Sequence, residues 1–275
     1  KAYKASARNK VYRRGSEAVV QSATGWLGYN QGLLFGNFIG DFVNFIGAFI
    51  QIKNQGFRIQ KDFKQLREIL RKYWQFPVYH AFPSFLNTIS LTLPVFIVHH
   101  AFGKAETGQF DLSRLVLSLP MALISTALSQ VYLQHQAEKI RNKLNIQSDF
   151  WKVSKVLFWM SIPLALVFFF FASPLFTFIF GRQWQLAGEL TAVLIFGQAI
   201  KFIVSPMSST LVALQEVRFS ALWQILYFSA MAWLYLHPGA DLQDFVLRYC
   251  YIDFIAYGLY FALIYLIIRR YELQR

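Results

Sequence analysis

Of the 275 residues, 56% are hydrophobic and 18% aromatic, and Lys and Arg outnumber Asp and Glu by 27 to 14. A soluble domain of this length cannot hide so much apolar surface in one core, whereas repeated apolar runs of about 20 residues or more mark a multispanning membrane protein. The net charge of +13 then belongs to loops facing anionic headgroups and not to a nucleic-acid surface, and a single cysteine, Cys250, excludes an intramolecular disulfide and a Cys-based metal or redox site.

The predicted fold class is all-α, with about eight transmembrane helices. The chain begins at Lys1, not Met, with no signal peptide ahead of it, and reads as a fragment whose N-terminal part is absent. Residues 1–15 are basic. Span one, roughly 16–29, is diluted by Glu17. Span two, about 31–52, carries Gly32, Gly36 and Gly40 at four-residue steps, a spacing that lets helix backbones approach closely. Its Asn37, Asp41 and Asn44 share a face. Residues 53–75 place Phe63, Leu66, Leu70, Tyr73 and Trp74 on one side and Lys61, Lys64, Arg67, Arg71 and Lys72 elsewhere. That pattern predicts a basic amphipathic helix lying in the membrane interface, at a boundary between two halves.

Span three, about 76–101, holds Pro77, Pro83 and Pro94, with His80, Ser84 and Asn87 on a common face. Span four lies in 107–144. It is expected to break at Pro120 and to end in Lys139, Arg141 and Lys143. Its Asp111, Arg114, Ser118, Ser125 and Ser129 follow helical spacing, while Leu115, Leu119 and Leu123 suit lipid or a neighbouring helix. Span five, about 151–180, is the greasiest. Span six, about 186–214, sets Gln198, Lys201, Ser205 and Ser208 in a row and is broken by Pro206. Span seven covers about 217–236. Span eight, about 242–268, includes Arg248 and Asp253 and stops at Arg269 and Arg270.

Placing residues 1–15 in the cytoplasm puts nearly all Lys and Arg in the inner segments 53–75, 138–155 and 215–218 and at the C-terminus. The outer connections then hold only Lys104 and Arg182. Both termini of the chain are therefore expected to be cytoplasmic.

No phosphate-cradling glycine loop, HExxH, CxxC or nucleophile elbow occurs, so no enzyme, cofactor or metal site is expected. His99 and His100 are adjacent on a helix and point apart. The chemistry resides in ionisable side chains within spans, which are costly in lipid and turn toward a wet interior. Arg114 faces such a lumen or snorkels to the headgroups. Arg248 faces it or pairs with Asp244 four residues earlier. Lys201 stands closer to mid-span. Asp41 and Asp253 either pair with these cations or bind a coupling ion. A cavity whose buried charge leans positive favours an anionic, phosphate-bearing amphiphile. The expected cavity residues are Arg114, Lys201, Arg248, Asn87 and Ser118.

The run 73–144, especially YWQFPVYHAFPSFLNTISLTLPVFIV followed by FGKAETGQFDLSRLVLSLPMALISTALSQVYL, resembles the polysaccharide-biosynthesis flippases of the multidrug/oligosaccharidyl-lipid/polysaccharide exporter superfamily. These include the O-antigen and capsule repeat-unit flippases. The resemblance implies two six-helix lobes in a V around a central cavity. Residues 1–52 would be the last two helices of the first lobe, 53–75 the inter-lobe connection and 76–275 the complete second lobe. It also implies a pyrophosphate-engaging role for Arg114.

The implied function is flipping of an undecaprenyl-pyrophosphate-linked oligosaccharide across the bacterial inner membrane. The partners would be that anionic lipid-linked oligosaccharide and membrane lipids, with polysaccharide-assembly proteins unidentified. The rival readings are a cation-coupled multidrug exporter, whose lumen should be richer in acid, and a membrane-embedded ligase or polymerase, which calls for a large outer loop.

Overall fold

The computed structural model describes residues 2–28, 32–54, 68–69, 71, 78 and 81–275, and every regular element among them is helical. The chain divides into two compact units, Lys1–Leu70 and Arg71–Arg275. The predicted interfacial segment 53–75 lies outside the described residues except for 53–54, 68–69 and 71, as do Pro77 and His80.

The first unit is a hairpin of α1 (Ala2–Trp26) and α2 (Gly32–Asn54). Glycines on one face of α2 let α1 come close: a Cβ at Gly32, Gly36 or Gly40 would collide with Thr24, Gln21 or Glu17 respectively. Polar contacts lock the same seam. Arg13 bridges Glu17 at 2.9 Å and Asp41 at 2.8 Å, and Gln21 Nε2 donates to Asn37 Oδ1 at 3.2 Å.

The second unit contains α3 (Phe82–Ala101), α4 (Lys104–Arg141), α5 (Gln147–Phe180), α6 (Gln185–Met207), a five-residue α7 (Ser209–Ala213), α8 (Val217–Leu236) and α9 (Leu242–Gln274). Among the described residues, six helical segments are long and apolar enough to cross a membrane, and all lie in this unit, α6 and α7 counting together. These six are the expected spans three to eight, and the two expected in the first unit fall on α1 and α2. The cationic first half of α1 keeps it out of this class, and the apolar part of α2, Leu34–Ile50, is shorter. The molecule is an all-α membrane protein.

Helix α6 is the centre of the second unit, packed against α4, α5 and α9, while α3 pairs with α8. Its buried residues, among them Ala187, Leu190, Leu194, Ile195, Phe202 and Val204, lie on more than one side, as a helix surrounded by others requires. Gly188 shows how tightly: a Cβ there would lie 2.8 Å from the Ala172 carbonyl oxygen of α5. On α4, Phe110, Ser113, Leu117, Met121 and Ser125 recur every three or four residues and are buried. The opposite face exposes Leu115, Leu119 and Leu123, as lipid contact requires.

Pro120 does not break α4, which runs unbroken to Arg141. A proline removes one backbone donor, and in a membrane helix neighbouring groups make good that loss. After Pro206 the helix does stop, with Ser208 between α6 and α7.

Side-chain amides and carboxylates tie the helix ends together. Gln109 donates to the Gln183 carbonyl at 2.7 Å and accepts from the Ala187 amide at 3.0 Å, fixing the start of α6 on α4. Glu272 accepts from the Ile146 amide at 2.7 Å, a carboxylate cap on α5 supplied by the far end of α9.

Candidate functional site

Arg114 sits between α4 and α3. Its Nη2 donates to the Leu91 carbonyl at 2.7 Å, and its guanidinium carbon lies 5.5 Å from the Phe110 ring centroid and 6.0 Å from that of Tyr249. The aromatic faces hold the cation, which makes no salt bridge among the described residues. Its Nε is buried and has no partner among the described residues. Beside it opens a cavity of about 350 Å3 lined by Leu91, Thr92, Val95, Asp111, Arg114 and Ser118. Arg114 and Ser118 thus share one cavity with Asp111, one turn apart on α4. Ser125, placed on the same stripe by spacing, is buried against the bundle and is not among this cavity's lining.

Lys201 belongs to a different environment. Its Nζ pairs with Asp253 at 2.5 Å and donates to the Tyr249 hydroxyl at 3.1 Å. The ammonium also lies 4.9 Å from the Tyr249 ring centroid and 5.5 Å from that of Tyr257. Tyr227 from α8 donates to the other Asp253 oxygen at 2.7 Å. A buried charge pair needs this satisfaction, because its mutual attraction alone does not offset desolvation.

Asn87 lines a further cavity of about 300 Å3, with Ser84 on α3, Ser205 and Ser208 at the end of α6, and Tyr257 and Tyr260 on α9. Trp223 stacks on Tyr260 there at 4.1 Å between ring centroids.

One face of α9 connects these places. Tyr249 underlies Arg114 and accepts from Lys201, Asp253 holds Lys201, and Tyr257 and Tyr260 line the Asn87 cavity. The steps from 249 to 253, 257 and 260 are helical spacing, so the stripe is legible in the sequence once the tyrosines are counted as polar. The sequence reading named only Asp253 from it.

Arg248, for which the sequence offered the lumen or Asp244, stands off this stripe. It is one residue away from Tyr249, which turns it off the stripe by about 100°. It pairs with Asp244 at 2.9 Å, four residues earlier, and its side chain is 40% exposed. Asp41 is engaged by Arg13 in the first unit. Among the described residues, no group of three or more His, Cys, Asp or Glu is placed to hold a metal.

A family model described as "Polysaccharide biosynthesis protein" matches residues 15–189. The chain is 24% identical over 176 residues to a Klebsiella pneumoniae protein called "Uncharacterized membrane protein in cps region", across 61% of this chain and 36% of that protein. It is 18% identical over 154 residues to the teichuronic acid biosynthesis protein TuaB of Bacillus subtilis (strain 168), across 56% of this chain and 32% of the relative. The matched stretch is about a third of the length of either relative. No solved structure matches. The family match covers more than half of the chain and takes in α3, α4 and α5 with Arg114 and Asn87, and on that ground this membrane protein belongs to the polysaccharide biosynthesis protein family.

Proposed function

We propose that the chain works within a flippase that carries an undecaprenyl-pyrophosphate-linked oligosaccharide across the bacterial inner membrane, by alternating access and without enzymatic chemistry. Family membership and the membrane-spanning bundle support transport of a polysaccharide precursor. The observation that carries the reading is Arg114. It is a guanidinium beside an open cavity between apolar helices, with a buried Nε that no described residue engages. Such a group suits a pyrophosphate, which accepts a planar fork of donors bidentately.

Lys201 serves this site indirectly. Its charge is matched by Asp253, and it holds Tyr249 beneath Arg114. Asp253 and Asp41 are both engaged by cations, which weighs against the acid-rich lumen of a cation-coupled drug exporter. Both termini of the chain lie in the cytoplasm on this reading, by the distribution of Lys and Arg.

The test is surface-polysaccharide assembly in cells carrying Arg114→Ala or Arg114→Lys in the native protein. Arg114→Ala abolishes assembly at unchanged protein level, and Arg114→Lys retains part of it. Normal assembly in the alanine variant removes Arg114 from the site.

A further inference from the structure

Away from Arg114, the helices α5, α6 and α9 part around another cavity, of about 450 Å3. Its walls are apolar: Phe158 on α5, Phe196, Ile200 and Ile203 on α6, Phe254 and Phe261 on α9. Gly258 opens the middle of the third wall. A Cβ there would meet only Ile200 Cδ1, at an ordinary 3.9 Å.

Polar groups gather at one end, where Trp151, Ser154 and Lys155 complete the lining. Ser154 is 5% exposed, yet its hydroxyl has no partner among the described residues. Ser161, deeper in the same groove, closes onto the Phe158 carbonyl at 2.7 Å as helix serines commonly do. Lys155 is exposed, and Asp149, the acid nearest in sequence, is already taken by Lys139 and His135. This is also the basic end of the bundle. Lys139, Arg141 and Lys143 lead into α5, and the Glu272 cap brings the end of α9, with Arg269 and Arg270, to the same place.

The groove has the depth of one leaflet. From Trp151 to Ser161 is about 15 Å at the helical rise, half of a hydrocarbon core of about 30 Å. Trp151 and Lys155 then stand at headgroup level, where an indole and a snorkelling ammonium belong.

We propose that this groove binds one anionic glycerophospholipid. One acyl chain lies between α5, α6 and α9, Lys155 pairs with the phosphate, and the Ser154 hydroxyl donates to a glycerol-ester oxygen. The charge at the mouth selects the class: a nearby lysine favours an anionic over a zwitterionic lipid by roughly fivefold. The inference stands on the bundle's own geometry and does not rest on the flippase reading.

The experiment is native mass spectrometry of the full chain in detergent micelles with added dioleoyl phosphatidylglycerol or dioleoyl phosphatidylcholine. The unsubstituted chain retains phosphatidylglycerol at roughly fivefold lower concentration than phosphatidylcholine. Gly258→Phe fills the groove and abolishes retention of both, and Lys155→Ala, at an exposed position safe for folding, keeps chain binding but loses the preference. Equal retention by a folded Gly258→Phe variant, or an undiminished preference in Lys155→Ala, overturns the proposal. Displacement of bound phosphatidylglycerol by undecaprenyl phosphate at equal concentration also overturns it, by assigning the groove to an isoprenyl chain.

Discussion

Lys201 on α6 and Asp253 on α9 meet at 2.5 Å with side chains only 11% and 2% exposed. The sequence left Asp253 either to pair with a span cation or to bind a coupling ion; Lys201 is the cation it meets, and the two form one neutral unit. Tyr227 and Tyr249 complete its hydrogen bonding, and Tyr249 carries its influence to Arg114. Arg114 lines a cavity and has no salt bridge among the described residues, and the Lys201–Asp253 pair is the scaffold behind it.

Breaking that pair from one side leaves a buried charge without a partner. Lys201→Met or Asp253→Leu alone is expected to lower stability by about 3–5 kcal/mol, and the double variant to recover most of the loss. A double-mutant cycle by chemical unfolding in detergent micelles measures this. Simple additivity of the two losses contradicts the pairing.

Arg248 should behave as a surface residue. Its partner is Asp244 on the same helix, and exposed pairs of this kind contribute about 0–1 kcal/mol. Arg248→Ala is therefore expected to leave both unfolding and surface-polysaccharide assembly near normal. A loss as severe as that expected of Arg114→Ala would place Arg248 back in the cavity.

Two helix glycines separate close packing from open space. Gly188→Ala pushes a methyl group onto the α5 backbone and should cost about 1–3 kcal/mol. Gly258→Ala faces open space and should be neutral or stabilising by up to about 1 kcal/mol. Melting temperatures of the two variants, taken in the same detergent, check the ordering.

Glu272 links the end of α9 to the first amides of α5. Glu272→Ala removes the acceptor and is expected to cost about 0.5–2 kcal/mol, while Glu272→Gln keeps a carbonyl oxygen there and loses less. Hydrogen exchange at the Ile146 and Gln147 amides should speed up in the alanine variant. Unchanged exchange shows that the cap does not hold.

Much of the molecule was legible before any coordinates. Apolar runs of bilayer length gave the membrane class and the positions of the six long helices, since a backbone in lipid has to satisfy its own hydrogen bonds. Spacing along a single helix put Arg114 beside Asp111 and Ser118, and it offered Asp244 as the partner of Arg248, because residues three or four apart share a helix face whatever lies around them. The amino-acid order thus determined which side chains stand together on one helix.

Tertiary structure decided which faces meet. Asp253 found Lys201, Tyr249 came under Arg114, and Asn87 went to a different cavity from Arg114, each relation joining helices far apart in the chain. Hydropathy could not show this, because lipid and a neighbouring helix are equally apolar and present a greasy face with the same surroundings. The choice between them falls to close fit and a few polar contacts, such as Gly188 against Ala172 and Gln109 against the start of α6, and those exist only once the helices are packed.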